Sequence, residues 1–298
     1  MRKKQNFNLG GKLMEISENR KKILSRIEEY ERAGLFDKDV EDDPKTISLD
    51  PDSVDYTQKK LSTRIGSFIA NRVGRNHFEK MIKRGDVVMK EMRGKENLEA
   101  IRGCGALVTC NHFNAFDNYA VYKTLIPALE GKMLYKIIRE GNYTSFGGFY
   151  GYLFRHCNTL PLSSSIKGIK ALNKAMTELF RRGEKILIYP EQGMWYNYRK
   201  PRPLKTGAFR FAVKNQVPIL PIFITLEDTD NFDADGFPIQ AYTVHVLPAI
   251  YPDPALPTRE DSERICRENY KLWVKTYEDF YQKKLEYTTD GEVDACST

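Results

Sequence analysis

The chain reads as an α/β protein, a mainly parallel central sheet covered by helices, with an N-terminal helical extension. Three observations predict this. From residue 86 onward, short apolar runs alternate with longer segments of helical periodicity, the pattern of parallel strands joined by helical crossovers. Upstream, residues 13–33 place Leu13, Ile16, Ile23, Ile27 and Tyr30 at helical spacing with charges between them. At the other end, 258–286 opens with Pro257-Thr258, carries Glu260 and Asp261 in its first turn, and can gather Ile265, Leu272, Trp273, Tyr277, Phe280 and Tyr281 into one stripe.

In chain order, 13–33 is expected to be an exposed amphipathic helix. The stretch "FDKDVEDDPKTISLDPDSVD" that follows is acidic and punctuated by proline, an irregular connector. The sign of the charge then reverses. Lys59, Lys60, Arg64, Arg72, Arg75, Lys80, Lys83 and Arg84 fall on expected short helices, either a solvated face or a surface for anions. The strands expected after residue 86 are "DVVMKEM", "ALVTCN", "KMLYKII", "NTLPL", "KILIYP", "PILPIFITL" and "YTVHVL". The helices expected are 118–129, 166–182, 206–215 and 258–286. The organisation read from this is an extension over 1–55 and one domain over 56–298, whose motif-bearing part spans about 86–250. No internal repeat, low-complexity tract or glycine-rich phosphate loop interrupts it.

Composition narrows the class. Of 298 residues, 41% are hydrophobic and 29% charged, which is the balance of a folded chain. The first residues are basic, but charges break every apolar run, so no cleaved leader is expected. The most apolar run, 217–226, holds two prolines and reads as a buried strand rather than a membrane span. Five cysteines at 104, 110, 157, 266 and 296 show no C-x-x-C spacing, which argues against a disulfide framework and a zinc site and for a reducing cytoplasm. The net charge of +7 suits nucleic acid, anionic lipid or an acidic partner protein alike, and no nucleic-acid reading motif accompanies it.

The chemistry concentrates in "CNHFNAFDN", residues 110–118, directly behind an apolar run. A strand ending there puts His112 at its C-terminal end, where α/β sheets usually hold ligands. Asp117 suits the N-cap of the next helix, and the turn between them can fold the carboxylate back onto the imidazole. A neutral imidazole oriented by a carboxylate takes a proton from an alcohol, with no protein nucleophile needed if the substrate supplies the hydroxyl. The alternative is a turn residue beside a helix cap.

Other segments weigh in. "RGKENLEAIRGCGALVTCNHFNAFDN" resembles the entry to the glycerolipid acyltransferases, the family of the 1-acyl-glycerol-3-phosphate acyltransferases. There a G-x-E-N-L stretch precedes a strand and then N-H-x-x-x-x-D; here these are Gly94, Glu96, Asn97, Leu98, Asn111, His112 and Asp117. "YKIIREGNYTSFGGFYGYLF" is similar to the family's lysine-glutamate block, with Arg139 and Glu140 in register. "ILIYPEQGMW" resembles F-P-E-G-T, with Glu191 in register. "LKTGAFRFAVKNQVPILPIFI" resembles a further block through Lys205, Gly207, Ala208, Pro218 and Pro221. Two arginines common in the family are missing: "LPLSSSIKG" stands where F-I-D-R is usual, and Met194 and Trp195 follow the E-Q-G.

The resemblance implies an O-acyltransferase with His112 as general base and Asp117 orienting it, and with no metal or cofactor. The acyl donor would be acyl-coenzyme A or acyl-carrier protein. The acceptor would be a lysophospholipid, 1-acyl-glycerol-3-phosphate first, with a neutral lipid or glycolipid alcohol, or a catalytically degenerate lipid-binding protein, as alternatives. Acceptor contacts are expected from Glu191, from Gly193, which permits close backbone approach, and from Arg139, Arg199, Arg202 and Lys205. Ser163, Ser164, Ser165 and Gln192 stand in reserve for an uncharged acceptor. Membrane contact is expected from Phe146, Phe149 and Tyr150, with the protein held peripherally on the cytoplasmic face.

Overall fold

A computed structural model describes the backbone of residues 7–9 and 12–14 and all of 17–42 and 44–297. Strands β1 (Phe7–Leu9) and β2 (Lys12–Met14) pair antiparallel. Helix α1 (Glu18–Arg32) follows, then an irregular stretch with one 3-10 turn, and α2 (Leu61–Arg84). The remainder runs β3 (Val88–Arg93), β4 (Ala106–Thr109), α3 (Asp117–Leu129), β5 (Leu134–Arg139), α4 (Glu140–Thr144), α5 (Gly148–His156) and β6 (Thr159–Leu162). After these come α6 (Ile166–Arg181), β7 (Lys185–Ile188), β8 (Leu204–Lys205), α7 (Arg210–Asn215), β9 (Ile219–Phe232), β10 (Pro238–Val246), α8 (Thr258–Tyr281) and β11 (Cys296–Ser297).

Seven strands form one sheet in the order β3-β10-β9-β4-β7-β5-β6. The five from β9 to β6 run parallel; β10 pairs antiparallel to β9, and β3 parallel to β10. This is the mainly parallel, helix-covered sheet expected from the sequence. All four residues of β4 and of β7 are buried, as central strands covered on both faces must be. One face packs α6, α7 and α8 through Leu172, Met176, Phe180, Phe209, Ile265 and Trp273. The other packs α3 and the C-terminal part of α2 through Val121, Leu125, Ala128 and Met81. The G-x-E-N-L stretch becomes a 3-10 turn against the end of β10. Asn97 Nδ2 donates to the Val246 carbonyl at 2.9 Å, and a Cβ on Gly94 (φ 69°) would come within 2.1 Å of that oxygen.

Several expectations need correction. The first helix begins at Glu18; Leu13 lies in β2 and Ile16 outside the described residues. It is not freely exposed, because Ile23 and Ile27 find Phe36, Val40, Trp195 and Tyr196 to pack on. The basic region is one helix of 24 residues instead of several short ones. The aromatic-glycine segment is broken into α4 and α5 around Gly147, and the last helix stops at Tyr281, where Gln282 turns left-handed (φ 52°). β9 runs on to Phe232 through a polar stretch that only its hairpin with β10 could specify. The argument against disulfides fails for one pair. Cys296 is paired in register with Leu204, and Cys266 of α8 lies against the same residue's carbonyl, so the two sulfurs are bonded; Cys104, Cys110 and Cys157 are free.

Candidate active site

β4 ends at Thr109, and the side chain of Asn111 extends its pairing with β9, accepting from Ile224 N at 2.8 Å and donating to Ile224 O at 3.0 Å. That anchor aims the turn 112–116. Asp117 opens α3, but its carboxylate does not cap the helix as expected; it folds back over the turn. Oδ2 accepts from His112 Nδ1 at 2.7 Å and from the amides of Phe113 and Asn114 at 3.2 and 3.3 Å. Oδ1 accepts from the Tyr189 hydroxyl at 2.6 Å. Asp117 has no exposed side-chain surface, whereas the imidazole of His112 keeps 22% of its own. With Nδ1 committed to Asp117, Nε2 is the ring nitrogen left for a substrate. The imidazole lies flat on the Tyr189 ring, centroids 3.9 Å apart and planes 17° from parallel.

Behind this turn sits a buried bracket. Glu191 Oε2 accepts the His112 backbone N–H at 3.0 Å, and Arg202 donates to the same carboxylate through its amide (2.8 Å) and guanidinium (3.0 Å). Arg202 lies over Trp195 and also donates to the carbonyls of Phe36 and Gly193. The Trp195 and Asn197 amides donate to the His112 and Phe113 carbonyls, completing the support.

The histidine opens onto a cavity of about 880 Å³ between the sheet and helices α2, α3 and α5, within the usual range for small-molecule sites. Phe78, Leu134, Ile138, Leu153 and Phe211 give it apolar walls, and Arg139, Gln192 and Lys205 also line it. A strap from the acidic connector crosses its rim, tied by buried Phe36 and Val40 and by Trp195 Nε1 donating to Lys38 O at 2.9 Å. It places Asp39 2.6 Å from Arg139 and Asp37 3.8 Å from Lys205. Gly193 sits beneath this strap: a Cβ there would press within 3.2 Å of Asp39 Oδ1.

The sequence-expected acceptor residues therefore separate. Arg139 and Lys205 reach the cavity. Glu191 and Arg202 are buried against each other, and Arg199 is turned away to Asp228 and Gln240. The three serines are also spoken for. Ser163 and Ser164 donate to Glu140, and Ser165 accepts from Gly168 N as the cap of α6. Burial opposes the charge of Glu140, yet the amides of Leu49 and Ser164 and the two serine hydroxyls hold its carboxyl below the usual range. Phe146 and Tyr150 both line the cavity, Phe146 packing on Phe154; Phe149 and Tyr150 are 39% and 46% exposed.

Sequence reasoning missed three features. The strap was legible only as an acidic connector. Lys136 projects into the cavity, donates to Cys157 O at 2.9 Å and has its pKa lowered by burial; a lysine inside a strand pattern gave no reason to place it there. Tyr189 did leave a signal, since it stands where the F-P-E-G-T block has phenylalanine.

No helix among the described residues is long and apolar enough to cross a membrane. No curated protein matches the chain. Among solved structures, the 1-acyl-sn-glycerophosphate (LPA) acyltransferase PlsC from Thermotoga maritima is similar over 78% of this chain and 87% of that one, with 16% sequence identity and a TM-score of 0.49. Residues 90–225 match the family model described as Acyltransferase. That segment, which holds the His112–Asp117 turn, the wall carrying Arg139, and the Tyr189–Arg202 bracket, is the part of the chain that is similar to the acyltransferase family.

Proposed function

We propose that the protein transfers a fatty acyl group from a thioester, acyl-coenzyme A or acyl-carrier protein, to a hydroxyl of a lipid acceptor. The observation that carries this reading is the 2.7 Å contact of His112 Nδ1 with a fully buried Asp117 at the edge of a largely apolar cavity. In the proposed reaction, His112 Nε2 takes the acceptor's hydroxyl proton as its oxygen attacks the thioester carbonyl. The tetrahedral intermediate then expels the thiolate, which receives the proton back from the imidazolium. Asp117 fixes the tautomer and balances the transient charge. General-base assistance of this kind contributes about 100- to 10,000-fold in rate.

For the acceptor, 1-acyl-glycerol-3-phosphate is the first reading, with Arg139 and Lys205 as its phosphate contacts. Their carboxylate partners are partly exposed, and such pairs are worth ~1 kcal/mol or less, so a phosphate can exchange with them. The strap favours the second reading, an uncharged lipid or glycolipid alcohol, because Asp37, Asp39 and Glu41 all crowd the same rim. Access is read as coming from the cytoplasmic membrane surface; contact with a membrane surface is supported by α2, which exposes Leu61, Ile65, Phe68, Ile69 and Val73 along one side. α5 packs against that helix and adds Phe149 and Tyr150.

The test is an acceptor screen of lysophospholipids, monoacylglycerols and lysoglycolipids against both donors, with product read by mass. Parent transfer that disappears in His112→Ala, at unchanged melting temperature, supports the reading. Equal thiol release with and without any acceptor would make the protein a thioester hydrolase instead.

A further inference from the structure

Asp117 holds the imidazole through one carboxylate oxygen, and its other oxygen is buried with a single described partner, the Tyr189 hydroxyl at 2.6 Å. The terminal torsion of an aspartate is broad and roughly two-fold, so Oδ2 alone, even with two backbone amides, leaves the carboxylate plane free to rock. A donor on Oδ1 removes that freedom. Tyr189 can supply it because it directly follows β7, and its carbonyl accepts from Gln192 N at 3.0 Å in a tight turn. The same side chain acts on the histidine by a second route. Its ring lies 3.9 Å from the imidazole at 17°, walling one face and opposing rotation of the imidazole away from Asp117. Burial, and then the nearby Asp117 charge, push the Tyr189 phenol well above its ordinary pKa, so it stays a donor.

We propose that Tyr189 is a positioning residue for acyl transfer: its hydroxyl orients Asp117, its ring holds His112, and together they lock the imidazole–carboxylate pair in working geometry. This rests on the reading of His112 as the base. It assigns a role to the one member of the cluster that touches both partners by side chain.

The experiment compares Tyr189→Phe, Tyr189→Leu, Asp117→Asn and the Asp117→Asn/Tyr189→Phe double variant. A hydrogen bond to a charged group is worth enough that losing it should lower kcat ~10-fold in Tyr189→Phe, with both KM values within about twofold of the parent. Tyr189→Leu, which also loses the ring, should fall a further ~10-fold. Because the hydroxyl acts through Asp117, the double variant should be no slower than Asp117→Asn by more than about twofold, whereas independent roles would multiply. A second readout needs no turnover: the His112 Nδ1–H proton resonance, assigned by its loss in His112→Ala, should shift and broaden in Tyr189→Phe. An unmoved resonance with kcat within twofold of the parent would overturn the proposal. So would multiplicative losses in the cycle, or a rise in KM at constant kcat, which would make Tyr189 a substrate wall. If His112→Ala kept parental turnover, the base assignment would fail by itself, while the resonance still reports whether Tyr189 orders the pair.

Discussion

Asp117→Asn separates the charge of the carboxylate from its shape. The asparagine is nearly isosteric, and its single carbonyl oxygen can face His112 Nδ1–H and the amides of Phe113 and Asn114, the three donors that converge on Oδ2. Its NH2 then meets the Tyr189 oxygen, which can turn its own proton aside and accept. Local geometry survives, and charge does not. In the resting protein the bond to His112 weakens from the charge-assisted class, about 1.5–3 kcal/mol, to the neutral one, about 0.5–1.5 kcal/mol. The cost grows when the imidazole becomes an imidazolium beside a neutral amide, so the expected penalty on turnover is about 2.7 kcal/mol, or roughly 100-fold in kcat. KM for either substrate should stay within about threefold, because Asp117 presents no surface to the cavity. The assay is mass-detected transfer at saturating donor and acceptor, with the melting temperature as a control for misplacement of the NH2. A variant with kcat within threefold of the parent, at parental stability, would refute the idea that the carboxylate charge works through His112.

Three further outcomes are expected. Glu191→Gln leaves the Arg202 guanidinium buried without its counter-charge, which typically costs about 3–5 kcal/mol; thermal denaturation should therefore show a drop of roughly 10 °C, with acceptor KM unchanged in the folded protein. A raised acceptor KM at parental stability would restore Glu191 to acceptor binding. His245 is 7% exposed between Thr225 and Phe280, and burial lowers its pKa to about 4. A histidine kept neutral in the fold loses stability as pH falls from its unfolded pKa of about 6.5 towards 4, by ~3 kcal/mol in all; denaturant titrations should show that slope in the parent and a flatter one in His245→Gln, and equal slopes would remove His245 as the cause. Finally, replacing Ile65, Phe68 and Phe149 by serine should cut partitioning onto anionic vesicles ~10-fold or more in a sedimentation assay while sparing turnover of a short, soluble acceptor. Equal losses in both would mean that these side chains pack rather than insert.

The seven sheet strands were readable because a strand's identity lies in local apolar runs between turn residues, and each run is short enough for its neighbours to bound it. The His112–Asp117 pair was readable for the same reason: five positions of chain separate its members, and a turn is a local object. The exposed stripe of α2 is spaced along one helix, yet the charges between its members mask that spacing, so the sequence reads as several short helices. What lay beyond reach involves partners distant in the chain. Arg202 is basic and sits in a loop, which by composition suggests an anion site; only the fold sets it against Glu191 and over Trp195, with Phe36 supplying a carbonyl from far upstream. Asp37 and Asp39 looked like part of a solvated connector until burial of Phe36 and Val40 pinned them over the rim. The sequence by itself determined the layered α/β architecture and the chemical identity of the pair at the end of β4, since both follow from short-range pattern. The tertiary structure decided which cations face the cavity, which carboxylates oppose them and that Tyr189 touches both members of the pair, because charge and burial depend on what the folded chain brings alongside.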